Sequence, residues 1–310
     1  DFQMNQSVLI LGGGGFIGSA LSLALAKAGN KVTAFSRTAR GQEHQNIRNV
    51  TGAFCEPADF EPWLADCQSV VQLASSSTPG SSAGRPLYEL EGNLRVTLAL
   101  LEALQSHPDR NLLFCSSGGA LYGNDEITPA TERSKIHPHS YHGAGKAAAE
   151  HFISSWTMQF AAAATILRPS NVYGPGQAAR KGFGIIPTAF NKIINDEPLE
   201  IWGDGSAVRD YLYVDDFIQL CLAIIDRPMA GGTVTLNAGS GIGTRLGELL
   251  SQIESVTGKK LRKIQKDKRH VDISRIVVDP GKAREIYGWE PRTPLTDGLK
   301  NTWNWWTSHQ

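Results

Sequence analysis

The sequence predicts an α/β fold: a doubly wound parallel sheet with a smaller C-terminal α/β domain. Three observations lead there. Short, nearly all-apolar strands alternate with helices through the first half, the pattern of a parallel sheet covered on both faces. A glycine run, Gly12 to Gly15, joins the first strand to the first helix. After Arg168-Pro169 the prolines and glycines become frequent and the elements shorten. A chain of 310 residues is long enough for two modest units sharing a core. The reading places them at 4–170 and 171–310, with a strand near 233–237 returning to the main sheet. Met4 reads as the natural start, and Asp1-Phe2-Gln3 are left out of the fold argument.

In order, Val8–Leu11 is a buried strand, and Phe16, Ile17, Leu21 and Leu25 recur at helical spacing after it. Lys31–Phe35 is a second strand, with a helix near Asp59–Ala65 and a strand over Ser69–Leu73. Ser75–Pro86, rich in Ser, Pro and Gly, is a loop at a strand's C-terminal end, where such sheets place ligands. A long helix over Gly92–Ser106 leads to the strand Asn111–Ser116, a helix ending at Phe160, and the strand Thr165–Leu167. Asp215 and Asp216 open the helix Phe217–Ile225, one of them as its N-cap. Trp303, Trp305 and Trp306 belong to a C-terminal amphipathic helix packing on the core.

Composition excludes several classes. Lys plus Arg and Asp plus Glu each total 30, so the formal net charge is zero, without the basic field of a nucleic-acid or membrane-surface protein. No apolar run reaches bilayer length and no secretory signal stands out. The four cysteines lack metal-ligand spacing, Cys115 reads as a small buried hydrophobe, and His137 and His139 read as loop residues. A cytoplasmic location is expected.

The glycine run carries chemistry. Gly13, Gly15 and Gly18 fit G-x-G-x-x-G, and Gly12, Gly15 and Gly18 fit the G-x-x-G-x-x-G variant. Such glycines permit the sharp turn, the approach of a pyrophosphate to backbone, and close packing of helix on strand. The amides of Phe16 and Ile17 then open a helix whose N-terminus favours anions. A strand before and a helix after point to a dinucleotide. The second strand ends Phe35-Ser36-Arg37, without the acid that would hold the adenosine ribose of NAD. Of NAD and NADP, the Ser36-Arg37 pair favours NADP, whose phosphate suits a guanidinium.

Further segments carry a resemblance: Leu73-Ala74-Ser75, Asn93, the run from Ser116 to Gly123, Gly143-Ala144-Gly145-Lys146, and the run from Leu167 to Gly176. Gly203-Asp204-Gly205-Ser206, Arg209-Asp210-Tyr211 and Arg269-His270-Val271-Asp272 follow. Together they resemble the extended short-chain dehydrogenase/reductases, specifically the UDP-glucose 4-epimerase-like enzymes of the NAD-dependent epimerase/dehydratase family. The resemblance covers the chain from Met4 onward. It implies a Rossmann domain carrying the cofactor on Gly12, Gly15, Phe16, Ile17, Gly18, Ser36, Arg37, Leu73, Ala74 and Lys146. It also implies a nucleotide-sugar site with Asn171, Arg209 and Arg269, and a homodimer paired through two long helices.

The family's chemistry is a hydride cycle in which Tyr removes a hydroxyl proton, Lys lowers that tyrosine's pKa, and Ser or Thr supports the oxygen. Its Tyr and Lys stand at i and i+4, only about 40° apart around a helix. Here His142 stands four residues before Lys146, and Tyr141 is turned about 140° away from it in a regular helix. An irregular first turn would bring Tyr141 in instead. Gly118 occupies the usual hydroxyl position, with Ser117 the nearest substitute, and Ala53 follows Gly52 where an acid is common. An imidazole titrates near pH ~6.5 and serves as either acid or base at neutral pH. The expected activity is 4-epimerization of a UDP-sugar through a 4-keto intermediate, for polysaccharide biosynthesis. The alternatives are an NADPH-dependent 4-keto-sugar reductase and a non-catalytic binding protein.

Overall fold

The computed structural model describes residues 5–38, 41–123, 129–180, 184–267 and 273–309. The first half runs β1 (Ser7–Leu11), α1 (Phe16–Lys27), β2 (Lys31–Ser36), β3 (Ile47–Thr51), α2 (Glu61–Leu64) and β4 (Ser69–Gln72). It continues through α3 (Pro86–Glu89), α4 (Arg95–Leu104), β5 (Asn111–Cys115), α5 (Gly118–Leu121), α6 (Tyr141–Phe160) and β6 (Ala163–Pro169). The second half holds β7 (Asn171–Tyr173), α7 (Ile185–Ile194), β8 (Leu199–Trp202), β9 (Val208–Tyr213), α8 (Val214–Asp226) and β10 (Gly232–Ala238). β11 (Gly243–Arg245), α9 (Leu246–Thr257), β12 (Lys263–Lys266), β13 (Arg275–Ile276), α10 (Gly281–Tyr287) and α11 (Leu295–Ser308) complete it.

Seven parallel strands form the main sheet in the order β10-β6-β5-β4-β1-β2-β3. The order reverses between β1 and β4, which opens a crevice at their C-terminal ends. Alternation along β1 shows both faces covered: Val8 and Ile10 join one core with α1 and α8, while Leu9 and Leu11 join the other with α4 and α6. One strand and two helices return from the second half. β10 pairs with β6 along its whole length, and α8 and α10 bury Phe217, Leu220, Cys221 and Ala283 in the first core.

Of the remaining second half, β7, β11 and β13 pair with β9, while β8 and β12 pair with each other. A third core of Tyr173, Phe190, Leu249 and Leu299 fills this lobe. Asp210 clamps the two sheets together by accepting from Ser170 Oγ at 3.1 Å, Ser240 N at 2.8 Å and Gly241 N at 3.1 Å. Burial pushes its carboxyl up, and the bonds from Ser240, Val278 and Gly241 oppose the rise.

Three local expectations are corrected. Gly92–Ser106 is not one α-helix: Leu90–Leu94 form a wide turn of π-helix, closed by Arg95 N bonding to Leu90 O, before α4 begins. Neither Asp215 nor Asp216 is an N-cap, because β9 runs straight into α8 and Tyr213 takes that position. Both acids lie in the first turn, where the helix dipole favours them, and Asp216 Oδ2 accepts from Thr293 N at 2.9 Å. Of the tryptophans, Trp303 and Trp306 pack on the third core, whereas Trp305 lines the crevice and stacks on His309 at 5.0 Å.

α6 is tied to β6 by a buried fork. Arg168 Nη2 lies 2.6 Å and Nε 3.0 Å from the two oxygens of Glu150, and Arg168 Nη1 donates to Tyr122 Oη at 2.9 Å. Tyr122 Oη donates in turn to Asn237 Oδ1 on β10 at 2.7 Å. Glu150→Ala leaves a buried guanidinium without its counter-charge and is expected to destabilise by ~3–5 kcal/mol. The double replacement Glu150→Leu with Arg168→Met is expected to cost much less when both variants are unfolded in urea. Equal losses would show that the fork holds no uncompensated charge.

Candidate active site

The glycine turn is shaped by backbone contact. Gly12, at φ +87°, and Gly13 both donate to Phe35 O at 2.9 Å, which pins the turn on β2. A Cβ on Gly18 would lie 2.0 Å from Gly12 O, and one on Gly12 would lie 2.9 Å from Ala74 N. Only glycine permits these approaches. α1 starts at Phe16 with no side-chain cap on its first amides, so its N-terminus is available to a phosphate. Leu73 and Ala74 close the other side, with Leu73 N bonded to Leu11 O at 3.0 Å. Ser36 Oγ turns back onto Thr38 O, and the exposed Arg37 stands at the rim. The cradle fits the pyrophosphate and adenosine end of a dinucleotide.

The same crevice is lined by the residues expected to handle the proton, Ser117, Tyr141, His142 and Lys146. α6 begins regularly: Ser140 caps it by accepting from Gly143 N at 3.1 Å, and Ala144 N bonds to Ser140 O at 2.9 Å. No irregular turn exchanges Tyr141 for His142. Tyr141 is 46% exposed on the crevice wall, and His142 is 9% exposed. One turn along, Lys146 Nζ donates to Cys115 O at 2.8 Å, and burial pushes its ammonium below the ordinary lysine value. Cys115 is only partly buried as a residue, although burial raises its thiol.

Ser117 caps α5, its Oγ accepting from Ala120 N at 3.1 Å. That bond leaves the hydroxyl proton available to an oxygen in the crevice. A hydroxyl at 118 would be crowded, because a Cβ there lies 3.0 Å from the carbonyls of Arg168 and Pro169 and from Val278 Cγ1. Asn171 donates to Asp210 O at 3.0 Å across β7 and β9, and Arg209 on β9 lines the crevice. Arg269 lies outside the described residues.

Two polar residues not singled out in the sequence, Ser77 and Glu89, contact His142, and Asn93, named for the resemblance, bonds to both of them. His142 Nδ1 lies 3.0 Å from Ser77 Oγ and 3.7 Å from Glu89 Oε2. Asn93 Nδ2 reaches Glu89 Oε1 at 2.7 Å. For Glu89 the signal available was its i, i+4 spacing from Asn93; Ser77 carried none beyond its place in the loop.

Comparison with known proteins agrees with this geometry. Residues 8–239 match the profile of the NAD dependent epimerase/dehydratase family. UDP-glucose 4-epimerase of Mycolicibacterium smegmatis is 29% identical over 303 residues, covering 95% of this chain and 96% of that protein. The dTDP-4-dehydro-6-deoxyglucose reductase of Escherichia coli is 28% identical over 314 residues, with 95% of each covered. The crystal structure of UDP-glucose 4-epimerase from Thermotoga maritima with UDP-glucose superposes with a TM-score of 0.91 at 28% identity, covering 97% of this chain and 99% of that one. With the Rossmann sheet, the glycine cradle and a profile match over most of its length, the chain belongs to the NAD-dependent epimerase/dehydratase family.

Proposed function

We propose that this protein is an NAD(P)-dependent 4-epimerase of a UDP-sugar, with His142 as its acid/base. The observation that carries this reading is the position of His142. It is buried one helical turn from Lys146, in the crevice that the glycine cradle opens into. The bound nicotinamide would supply reversible hydride acceptance. The chain's own residues do the rest. His142 takes the proton of the sugar hydroxyl as the carbon is oxidised and returns it to the ketone oxygen of the 4-keto sugar. Ser117 donates to that oxygen, and Lys146 holds the cofactor's ribose. Arg209 and Arg269 pair with the diphosphate, and Asn171 hydrogen-bonds the sugar or a phosphate.

A second reading, net reduction of a 4-keto sugar by NADPH, draws on Ser36-Arg37, which places a cation and no carboxylate at the end of β2. Stoichiometric oxidation of NADPH during turnover would establish it, whereas catalytic cofactor retained through many turnovers supports epimerization. Binding of UDP-sugars without turnover across a panel would leave a binding protein.

His142→Phe is expected to lower kcat by about 10²–10⁴-fold with little change in UDP-sugar affinity. Tyr141→Phe is expected to retain most of it. Steady-state kinetics on both variants decide the matter, and the reverse pattern would assign the proton to Tyr141. For the cofactor, Arg37→Asp is expected to shift the NADP/NAD affinity ratio toward NAD by about tenfold or more, in line with ~1.5–3 kcal/mol for a charged hydrogen bond. Calorimetric titration with both cofactors measures it, and an unmoved ratio would remove Arg37 from phosphate recognition.

A further inference from the structure

We propose that Glu89, acting through Ser77, fixes the tautomer of His142, placing its ring proton on Nδ1 and leaving Nε2 to exchange the substrate proton. The assignment rests on the reading of His142 as acid/base and deepens it by naming the nitrogen and the groups that position it. It starts from a backbone donor whose direction is certain. Ser76 N donates to Asn93 Oδ1 at 2.7 Å, so the other end of that amide, Nδ2, faces Ser77 Oγ and Glu89 Oε1. Nδ2 only donates. Ser77 Oγ also contacts Glu89 Oε2 closely. A carboxylate oxygen only accepts, so the serine's single proton points to Glu89. Two lone pairs remain on Ser77 Oγ, and Asn93 Nδ2 takes one at 2.5 Å. His142 Nδ1, at 3.0 Å, faces the other and must donate to it. In the neutral ring Nε2 is then the bare nitrogen.

Two further features agree. Burial acts to raise the Glu89 carboxyl, but hydrogen bonds involving His142, Asn93 and Ser77 outweigh it and hold it below its ordinary value, so the anion persists at neutral pH. Gly145 makes the space: a Cβ there would lie 2.7 Å from Glu89 Oε1. The glycine one residue before Lys146 lets a buried carboxylate lie against α6, 3.7 Å from the imidazole it would stabilise once protonated. Glu89 and Ser77 are thus positioning residues, as the buried acid behind a catalytic histidine is in hydrolytic and metal sites.

The test is nitrogen NMR on full-length protein carrying ¹⁵N-histidine, with the His142 signals assigned by their loss in His142→Phe. At a pH where the ring is neutral, wild type is expected to show the proton on Nδ1. Ser77→Ala is expected to release the ring to a population with the proton on Nε2. On UDP-glucose, Glu89→Gln and Ser77→Ala are expected to lower kcat about 10- to 100-fold with KM within about twofold, and Glu89→Asp to recover part of the loss. Should a variant fail to fold, the wild-type spectrum alone decides. A proton on Nε2 in wild type, a tautomer unmoved by Ser77→Ala, or losses confined to KM would overturn the proposal. The predicted tautomers without turnover of any UDP-sugar would instead sink the epimerase reading and leave the positioning intact.

Discussion

The structure depends on burying three ionisable side chains in one stripe of α6. His142, Lys146 and Glu150 stand at successive turns, each less than a tenth exposed. A helix face of this kind is unstable against an apolar sheet unless every group meets a partner. Each partner comes from a different element. Ser77 and Glu89 meet His142, the carbonyl of Cys115 at the end of β5 meets Lys146, and Arg168 on β6 meets Glu150. These contacts fix the helix in rotation and along its axis. Packing by Ala149, Ile153 and Trp156 on the second core then supplies affinity for the sheet without setting that register alone.

One end of the stripe opens on the crevice and the other is sealed by Tyr122 and Asn237. The candidate site therefore lies where the buried polar column meets solvent. This arrangement also accounts for the crowding at Gly118. α5 is pressed between the ends of β6 and the Val278 segment, so hydroxyls approach from its capping residue Ser117 and from the loop after β4.

Much of this was legible in the sequence because it was local. The strand, glycine run and helix of residues 8–19 state their roles within one window, and the spacing of His142 and Lys146 is a property of four residues. What escaped was long-range. Ser77 meets His142 across 65 positions, and no periodicity encodes that encounter. The π turn at Leu90–Leu94 escaped because propensities describe α-helices, while the turn answers to the buried bonds of Asn93. The start of α8 was misplaced because capping rules look for a polar side chain, and here a strand feeds the helix directly.

The position of β10 has a consequence for how the chain reaches this state. The sheet's outer strand on that side comes from residues 232–238, yet it pairs with β6, residues 163–169. Until β10 and α8 have been synthesised, β6 presents an open edge and the first core lacks one of its covering helices. Unpaired parallel strands with apolar faces are sticky and slow to mature. The main sheet is thus completed by sequence made after β7, α7, β8 and β9 of the second lobe. Nascent chains would remain vulnerable to aggregation through that interval, and the two halves would mature as one cooperative unit rather than in succession.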